Sequence, residues 1–208
     1  MKVAYFAESP ADEAALTILT EAILGRATTP VLHAGLRHRG WPAVKSAMRS
    51  VLMELHYHTD AYGFVFIADS NGSPPHSSSH DHAPDPACRL CQLRGIAREV
   101  QCQARPRMHQ PPLKVALGAA VPAIEAWLLC GVKPNPSEAA WINGQREGRM
   151  PFTSADLKAE LYGTARPSIA HETAVMKTAA TRLTADLKHL QESFPQGFGA
   201  LLADLRRW

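Results

Sequence analysis

Apolar and polar positions follow two distinct rhythms along the first third of the chain. Residues 2–7 form a short run rich in apolar, β-branched and aromatic side chains, the pattern of a strand. Ser9-Pro10 follows, with Asp12 and Glu13 behind it: a helix cap, a proline at the first helical position and acids in the first turn. Leu16, Leu19 and Ile23 recur at helical spacing until Gly25 closes the helix. Residues 29–36 read as a second strand. Pro42 opens a second helix, with Val44, Met48, Val51, Leu52 and Leu55 on its inner face. Residues 62–68 are a nearly continuous apolar run, of the kind that a parallel sheet buries on both faces.

Strand, helix, strand, helix, strand predicts an α/β protein with a doubly wound, mainly parallel sheet and right-handed crossovers. Functional groups in such folds gather beyond the carboxyl ends of the strands. Glu8 ends the first strand and Asp69 ends the third, so two acids approach one edge of the sheet. Residues 72–86 break the pattern with Ser, Pro, His and Asp and read as a loop. An arginine-rich helical stretch follows. Residues 113–117 are a fourth strand, and a helix beginning at 124–129 carries Glu125 and Trp127. Beyond Lys133 strands cease: 170–192 is one amphipathic helix with Met176, Ala179, Leu183, Leu187 and Leu190 on its apolar face, and 198–205 is a last short helix. The division this implies is 1–132 as the α/β unit, with 72–112 a His/Cys- and Arg-rich insertion, and 133–208 as a helical C-terminal extension.

Composition narrows the class. Apolar residues make up 46% of the 208 positions and charged ones 20%, which excludes wholesale disorder. The formal charge of +3 is too small to identify a nucleic-acid partner, so its distribution matters more. Four cysteines are too few for a disulfide scaffold. The longest apolar stretch, 115–132, holds Pro122 and Glu125 at its centre, which argues against a membrane span, and the apolar stretch after Lys2 is too short for a secretory signal. A cytoplasmic protein without a membrane partner is the expectation.

Two constellations carry chemistry. The first is acidic: Glu8, Asp69-Ser70-Asn71, and Glu125 in an apolar helix. Oxygen donors from separate strand ends suit Mg²⁺, which takes one or two carboxylates plus water and substrate phosphate. The second is His76-x3-His80-x-His82-x5-Cys88-x2-Cys91, five zinc-competent side chains in a short loop. His80 and His82 with Cys88 and Cys91 are the expected structural zinc ligands, and His76 and Cys102 are alternates. Arg89, Arg94, Arg98, Arg105 and Arg107 come next, with Arg37, His38 and Arg39 after the second strand. Arginine forks suit phosphate oxygens, so these residues are candidates for a nucleic-acid track beside the acids. His33, His56, His58, His171 and His189 read as surface or core residues, and Trp127 and Trp141 as packing groups.

These segments resemble a family. Glu8 followed by Ser9-Pro10-Ala11-Asp12-Glu13 looks like the Toprim opening, and Phe66-Ile67-Ala68-Asp69-Ser70-Asn71 looks like the Toprim Asp-x-Asp turn. Val121-Pro122-Ala123-Ile124-Glu125-Ala126-Trp127-Leu128-Leu129 resembles the Glu-Ala-Trp-Leu-Leu signature of small bacterial Toprim-like proteins grouped as domain-of-unknown-function 4276 (DUF4276). The tail from Glu192-Ser193-Phe194 to Trp208 is similar to that family's ending. The resemblance implies a Toprim-like fold and Mg²⁺- or Mn²⁺-dependent nuclease chemistry, as in overcoming-lysogenization-defect nucleases, in a bacterial defence or mobile-element setting. It implies Glu8, Asp69 and Asn71 as metal positions, with Glu8, Asp69 and Glu125 as the catalytic set. Glu8 is either ligand or general base, and Glu125 either an orienting group or a further ligand. Two positions depart from the pattern: Ser9 stands where a glycine is common, and Asn71 replaces the second acid. The alternative is a non-catalytic Toprim-like module that binds nucleic acid or a protein partner from a neighbouring gene within a larger complex.

Overall fold

A computed structural model describes residues 1–32, 41–108, 110–132, 135–164 and 166–208. In chain order the elements are β1 (Lys2–Phe6), α1 (Pro10–Leu24), β2 (Thr29–Pro30), α2 (Trp41–His58), β3 (Gly63–Asp69), α3 (Arg89–Gln103), β4 (Lys114–Ala120), α4 (Ile124–Leu128), α5 (Glu138–Glu147), α6 (Ser154–Tyr162), α7 (Ile169–Leu183), α8 (Leu187–Ser193) and α9 (Gly197–Leu205). Short 3-10 helices cover Ser78–Asp81 and Thr184–Asp186. The four strands form one parallel sheet in the order β2-β1-β3-β4. The expected α/β architecture with a parallel sheet is therefore present. The second strand is shorter than expected, Thr29–Pro30, with Val31 and Leu32 outside it; residues 33–36, His33 among them, and Arg37, His38 and Arg39 lie outside the described residues.

The period of two along each strand decides what each face buries. Val3, Tyr5, Val65 and Ile67 join a core with Leu16 and Leu19 of α1, Met176 and Leu183 of α7, and Phe198 and Leu201 of α9. Ala4, Phe6, Phe64 and Phe66 turn the other way, onto Met48, Val51 and Leu55 of α2 and Leu90 and Leu93 of α3. The C-terminal extension thus shares its core with the α/β unit: α7 lies on α1, and α9 lies along β4. Trp127 is fully buried, edge-on to Phe198 at 5.3 Å, the packing role its apolar neighbours implied.

Local signals explain most element ends. Ser9 and Asp12 form a reciprocal capping box at α1, and Gly25 closes the helix in the left-handed region at φ 63°. Helix 170–192 is a correction: α7 stops at Leu183, and Asp186 begins α8 by accepting the His189 N–H at 3.0 Å. A side chain that can cap competes with helix continuation, and here it interrupts the apolar periodicity.

α9 seals the free edge of β4. Asp204 accepts the buried Leu117 N–H at 3.1 Å, and a Cβ on Gly197 would fall 2.0 Å from the Ala119 carbonyl oxygen. The helix can approach this closely only because position 197 has no side chain, and an edge that could recruit another strand is covered.

Candidate functional site

The sheet order reverses between β1 and β3: the chain goes from β1 outward to β2, and from β3 outward to β4. A crevice at the carboxyl ends of two such strands is where open α/β sheets bind ligands. Glu8 follows β1 and Asp69 is the last residue of β3, so both flank this point. Two helices starting at the same edge add two more acids, Asp12 from the first turn of α1 and Glu125 from the first turn of α4.

The four carboxylates feel one another. Asp69 accepts the Ile124 N–H at 3.0 Å, yet its carboxyl is held well above the usual range, first by loss of solvent and then by the charges of Glu8, Asp12 and Glu125. Asp12 is pushed up to about 7, by burial and then by Glu125, against the pull of its hydrogen bonds with Ser9. Glu125 is buried; its Oε1 accepts from the Tyr162 hydroxyl at 3.2 Å and lies 3.7 Å from the Lys158 ammonium. Its Oε2 is buried without a hydrogen-bond partner.

Arg89 borders the cluster. One of its guanidinium nitrogens donates to the Asp69 carbonyl at 2.6 Å and lies 4.0 Å from Glu8, and the group sits 4.6 Å from the centre of the Trp41 ring. Asn71 occupies the left-handed region at φ 43°, its N–H donating to the Pro122 carbonyl at 3.2 Å. Asparagine tolerates that backbone better than most residues, which accounts locally for its presence in the turn.

Sequence reasoning placed Glu8, Asp69 and Glu125 together and missed Asp12, Tyr162 and Lys158. Asp12 sits in the first turn of the helix that directly follows Glu8, and its place at that helix start is the signal that could have found it. Lys158 and Tyr162 lie one turn apart on α6, but nothing local ties α6 to α4.

The second constellation is at the start of α3. Ligand atoms of His76, His80, Cys88 and Cys91 all lie within 4.8 Å of one another, the only such set of His, Cys, Asp and Glu donors among the described residues. These four side chains could hold a metal ion such as zinc. His76 Nδ1 is 3.7 Å from the Cys88 sulfur and 3.5 Å from that of Cys91. Burial pushes the Cys88 thiol up to about 11, and burial with the nearby Arg94 charge pulls His76 down. The membership corrects the expected set: His76 takes the place given to His82. His82 ends the 3-10 helix Ser78–Asp81 and is exposed. At three residues per turn, positions 80 and 82 point to different sides, so one turn cannot present both to one ion. Cys102 is exposed near the far end of α3 and stands outside the set.

The five arginines do not form one track. Arg89 is at the acidic edge. Arg94 donates to Asp81 at 2.8 Å, and with Arg98, Gln101 and Arg207 it lines a cleft of about 610 Å³. Arg105 and Arg107 lie past the end of α3. Arg107 donates to the carbonyls of Thr59 at 2.7 Å and Ala61 at 2.8 Å, before β3 begins. That is the amino end of the strand whose carboxyl end carries Asp69, so the grouping with Arg89 fails. Among the described residues no helix is long and apolar enough to cross a membrane.

No family model matches the chain, and no curated protein or solved structure matches it. The Toprim resemblance rests on its motifs alone.

Proposed function

We propose that the protein is a divalent-cation-dependent phosphodiesterase acting on nucleic acid in the cytoplasm, in the manner of Toprim nucleases. One observation carries this: four carboxylates from two strand ends and two helix starts converge at the switch point of a parallel sheet. The residues present suit Mg²⁺ or Mn²⁺. Glu125 Oε2 is a buried acceptor without a partner, and burial first, then the charges of the neighbouring acids, raises Asp12 and Asp69, so a cation at this edge would meet carboxylates that lack one. The acids do not close within 4.8 Å as the His/Cys set does. An open arrangement fits an ion that keeps waters and shares substrate oxygens. Glu8 and Asp69 would hold it, with the Asn71 amide oxygen at the rim, and the ion would activate water and offset phosphate charge. Arg89 offers its fork to a phosphate oxygen. Tyr162 and Lys158 fix Glu125. The His/Cys cluster is structural in this reading, because four protein donors leave no open position for a substrate.

The alternative, a non-catalytic module that binds nucleic acid or a neighbouring-gene protein, draws on Arg89, which already brings a cation within 4.0 Å of Glu8. The deciding assay incubates purified protein with labelled single- and double-stranded DNA and RNA, in Mg²⁺, Mn²⁺ or chelator. Metal-dependent cleavage is expected, reduced about 10²-fold or more in Glu8→Gln and Asp69→Asn. No cleavage under any of these conditions, with a stoichiometric partner recovered by pull-down, decides for the module.

A further inference from the structure

Between β3 and α3 the chain has almost nothing to pack with: of residues 72–87 only His76 is buried. A segment this polar needs another reason to hold one conformation. The geometry around His76 supplies one. A tetrahedral ion with zinc–sulfur bonds of about 2.3 Å and zinc–nitrogen bonds of about 2.05 Å sets sulfur and nitrogen roughly 3.6 Å apart. The His76 Nδ1 to sulfur distances are 3.7 and 3.5 Å. His80 completes the set, its ring edge-on to that of His76 at 85° and 5.3 Å, with a buried Nδ1 that has no hydrogen-bond partner.

Both histidines have a carboxylate on the opposite nitrogen. His76 Nε2 is 3.3 Å from Asp81, and His80 Nε2 is 3.9 Å from Asp85. The Asp81 contact, at hydrogen-bond distance, turns Nδ1 of His76 toward the ion; the Asp85 separation is a charge contact, too long for a hydrogen bond, and orients His80 only loosely. Cys88 is the N-cap of α3 and Cys91 lies in its first turn, three residues on, so one turn of chain presents both sulfurs to the same side. Two thiolates and two imidazoles in a closed tetrahedron are the donor set of structural zinc.

We propose that His76, His80, Cys88 and Cys91 form a structural zinc site, and that the ion seats Arg89 against the acidic edge. Cys88 directly precedes Arg89, whose guanidinium rests on Trp41 and donates to the Asp69 carbonyl. The Trp41 indole in turn donates to Gln92 in the first turn of α3 at 2.8 Å. Fixing the start of α3 therefore fixes both the cation and the ring beneath it. This deepens the proposed function, resting on it only for the use made of Arg89 and not for the ion.

The test uses the full chain, without nucleic acid or Mg²⁺, so its failure is separate from failure of the nuclease reading. Protein purified without added metal is expected to carry one zinc per chain by elemental analysis. Its Co²⁺-substituted form should show tetrahedral d–d bands with charge transfer from two thiolates. His76→Ala, His80→Ala and Cys91→Ser should lose the ion, while His82→Ala and Cys102→Ser keep it. In ¹⁵N-labelled protein, chelation should shift the Trp41 indole resonance (assigned through Trp41→Phe) and leave that of Trp127 in place. Should the cysteine variant not fold, chelator-stripped wild type provides the metal-free state. Absence of zinc, or zinc lost in His82→Ala and retained in His76→Ala, overturns the site. Zinc present with an unmoved Trp41 resonance, or loss of every indole signal on chelation, overturns the seating of Arg89.

Discussion

Replacing Gly197 with alanine separates packing from propensity, because the two give opposite signs. Helix propensity alone favours alanine over glycine by about 1 kcal/mol in a helix interior, and less at the first position. The structure opposes it. The added Cβ would lie 2.0 Å from the Ala119 carbonyl oxygen and 2.8 Å from Glu138 Oε1. The oxygen belongs to a sheet strand and cannot yield, so α9 must withdraw by roughly 1 Å, at an overpacking cost of about 1–3 kcal/mol. Withdrawal also stretches three bonds at the interface: Gly197 N–H to Glu138 at 2.6 Å, Gln196 N–H to Glu138 at 2.8 Å, and Leu117 N–H to Asp204 at 3.1 Å. A hydrogen bond to a charged group contributes about 1.5–3 kcal/mol, and burial raises Glu138 to about 7, so above that pH weakening one bond brings the net, less the propensity gain, to about 3 kcal/mol. In a chain this size that lowers Tm by about 6–12 °C. Urea unfolding followed by circular dichroism should show a lower midpoint at unchanged m. Gly199→Ala is the control: the nearest atom to its Cβ would be the Phe194 oxygen at 3.8 Å, and stability should hold or rise by about 0.5–1 kcal/mol. If Gly197→Ala is as stable as wild type, or the two variants behave alike, the close approach of α9 to β4 is not what fixes this position.

Asp12 gives a pH prediction. Its folded carboxyl titrates at about 7 against 3.8 in the unfolded chain, so its contribution is fully present below about pH 4 and is lost as pH rises through 7. Three units correspond to about 4 kcal/mol as an upper bound, and Asp12→Asn should flatten the fall in urea midpoint between pH 5 and pH 8. Arg107→Ala leaves two carbonyls ahead of β3 without their donor and should cost about 1–3 kcal/mol, measured by denaturation, with nucleic-acid affinity unchanged. Gly63→Ala places a Cβ 2.3 Å from the Trp208 ring; the terminal indole should swing out, seen as a red-shifted, more quenchable tryptophan emission.

What was legible in the chain was what short-range chemistry encodes. Strands β1 and β3 stood out because both faces of a parallel strand are buried, and α1 because Ser9, Pro10 and Gly25 mark its ends within the helix itself. Three of the four acids at the edge were readable from element order, since Glu8 follows β1, Asp69 ends β3 and Glu125 lies in the first turn of α4. Asp12 escaped because its capping role is a sufficient local reason for an acid at that position. The Lys158 and Tyr162 contacts to Glu125 come from the packing of α6 on α4, which no local spacing encodes. In the His/Cys segment the donors were visible and the membership was not. Choosing His76 over His82 depends on the 3-10 turn at Ser78–Asp81, whose handedness and start no apolar periodicity announces.

Arg89 decides how the acidic edge is balanced. A guanidinium that forked onto Glu8 or Asp69 would neutralise a carboxylate, and the edge would need no further cation. Instead it spends its close bond, 2.6 Å, on the main-chain oxygen of Asp69 and stays 4.0 Å from Glu8. At that separation the attraction is between about 1 and 4 kcal/mol, depending on how much water intervenes, and it reaches mainly the most exposed of the four acids. Asp12 and Asp69, deeper in the edge, lose solvent first and face the neighbouring acids second, and both hold their protons to higher pH than free carboxylates do. In the proposed metal reading, protons and a divalent cation compete at this edge. Acid should protect the fold without metal, and Mg²⁺ should protect it more at pH 8 than at pH 5, where protons already supply the missing charge.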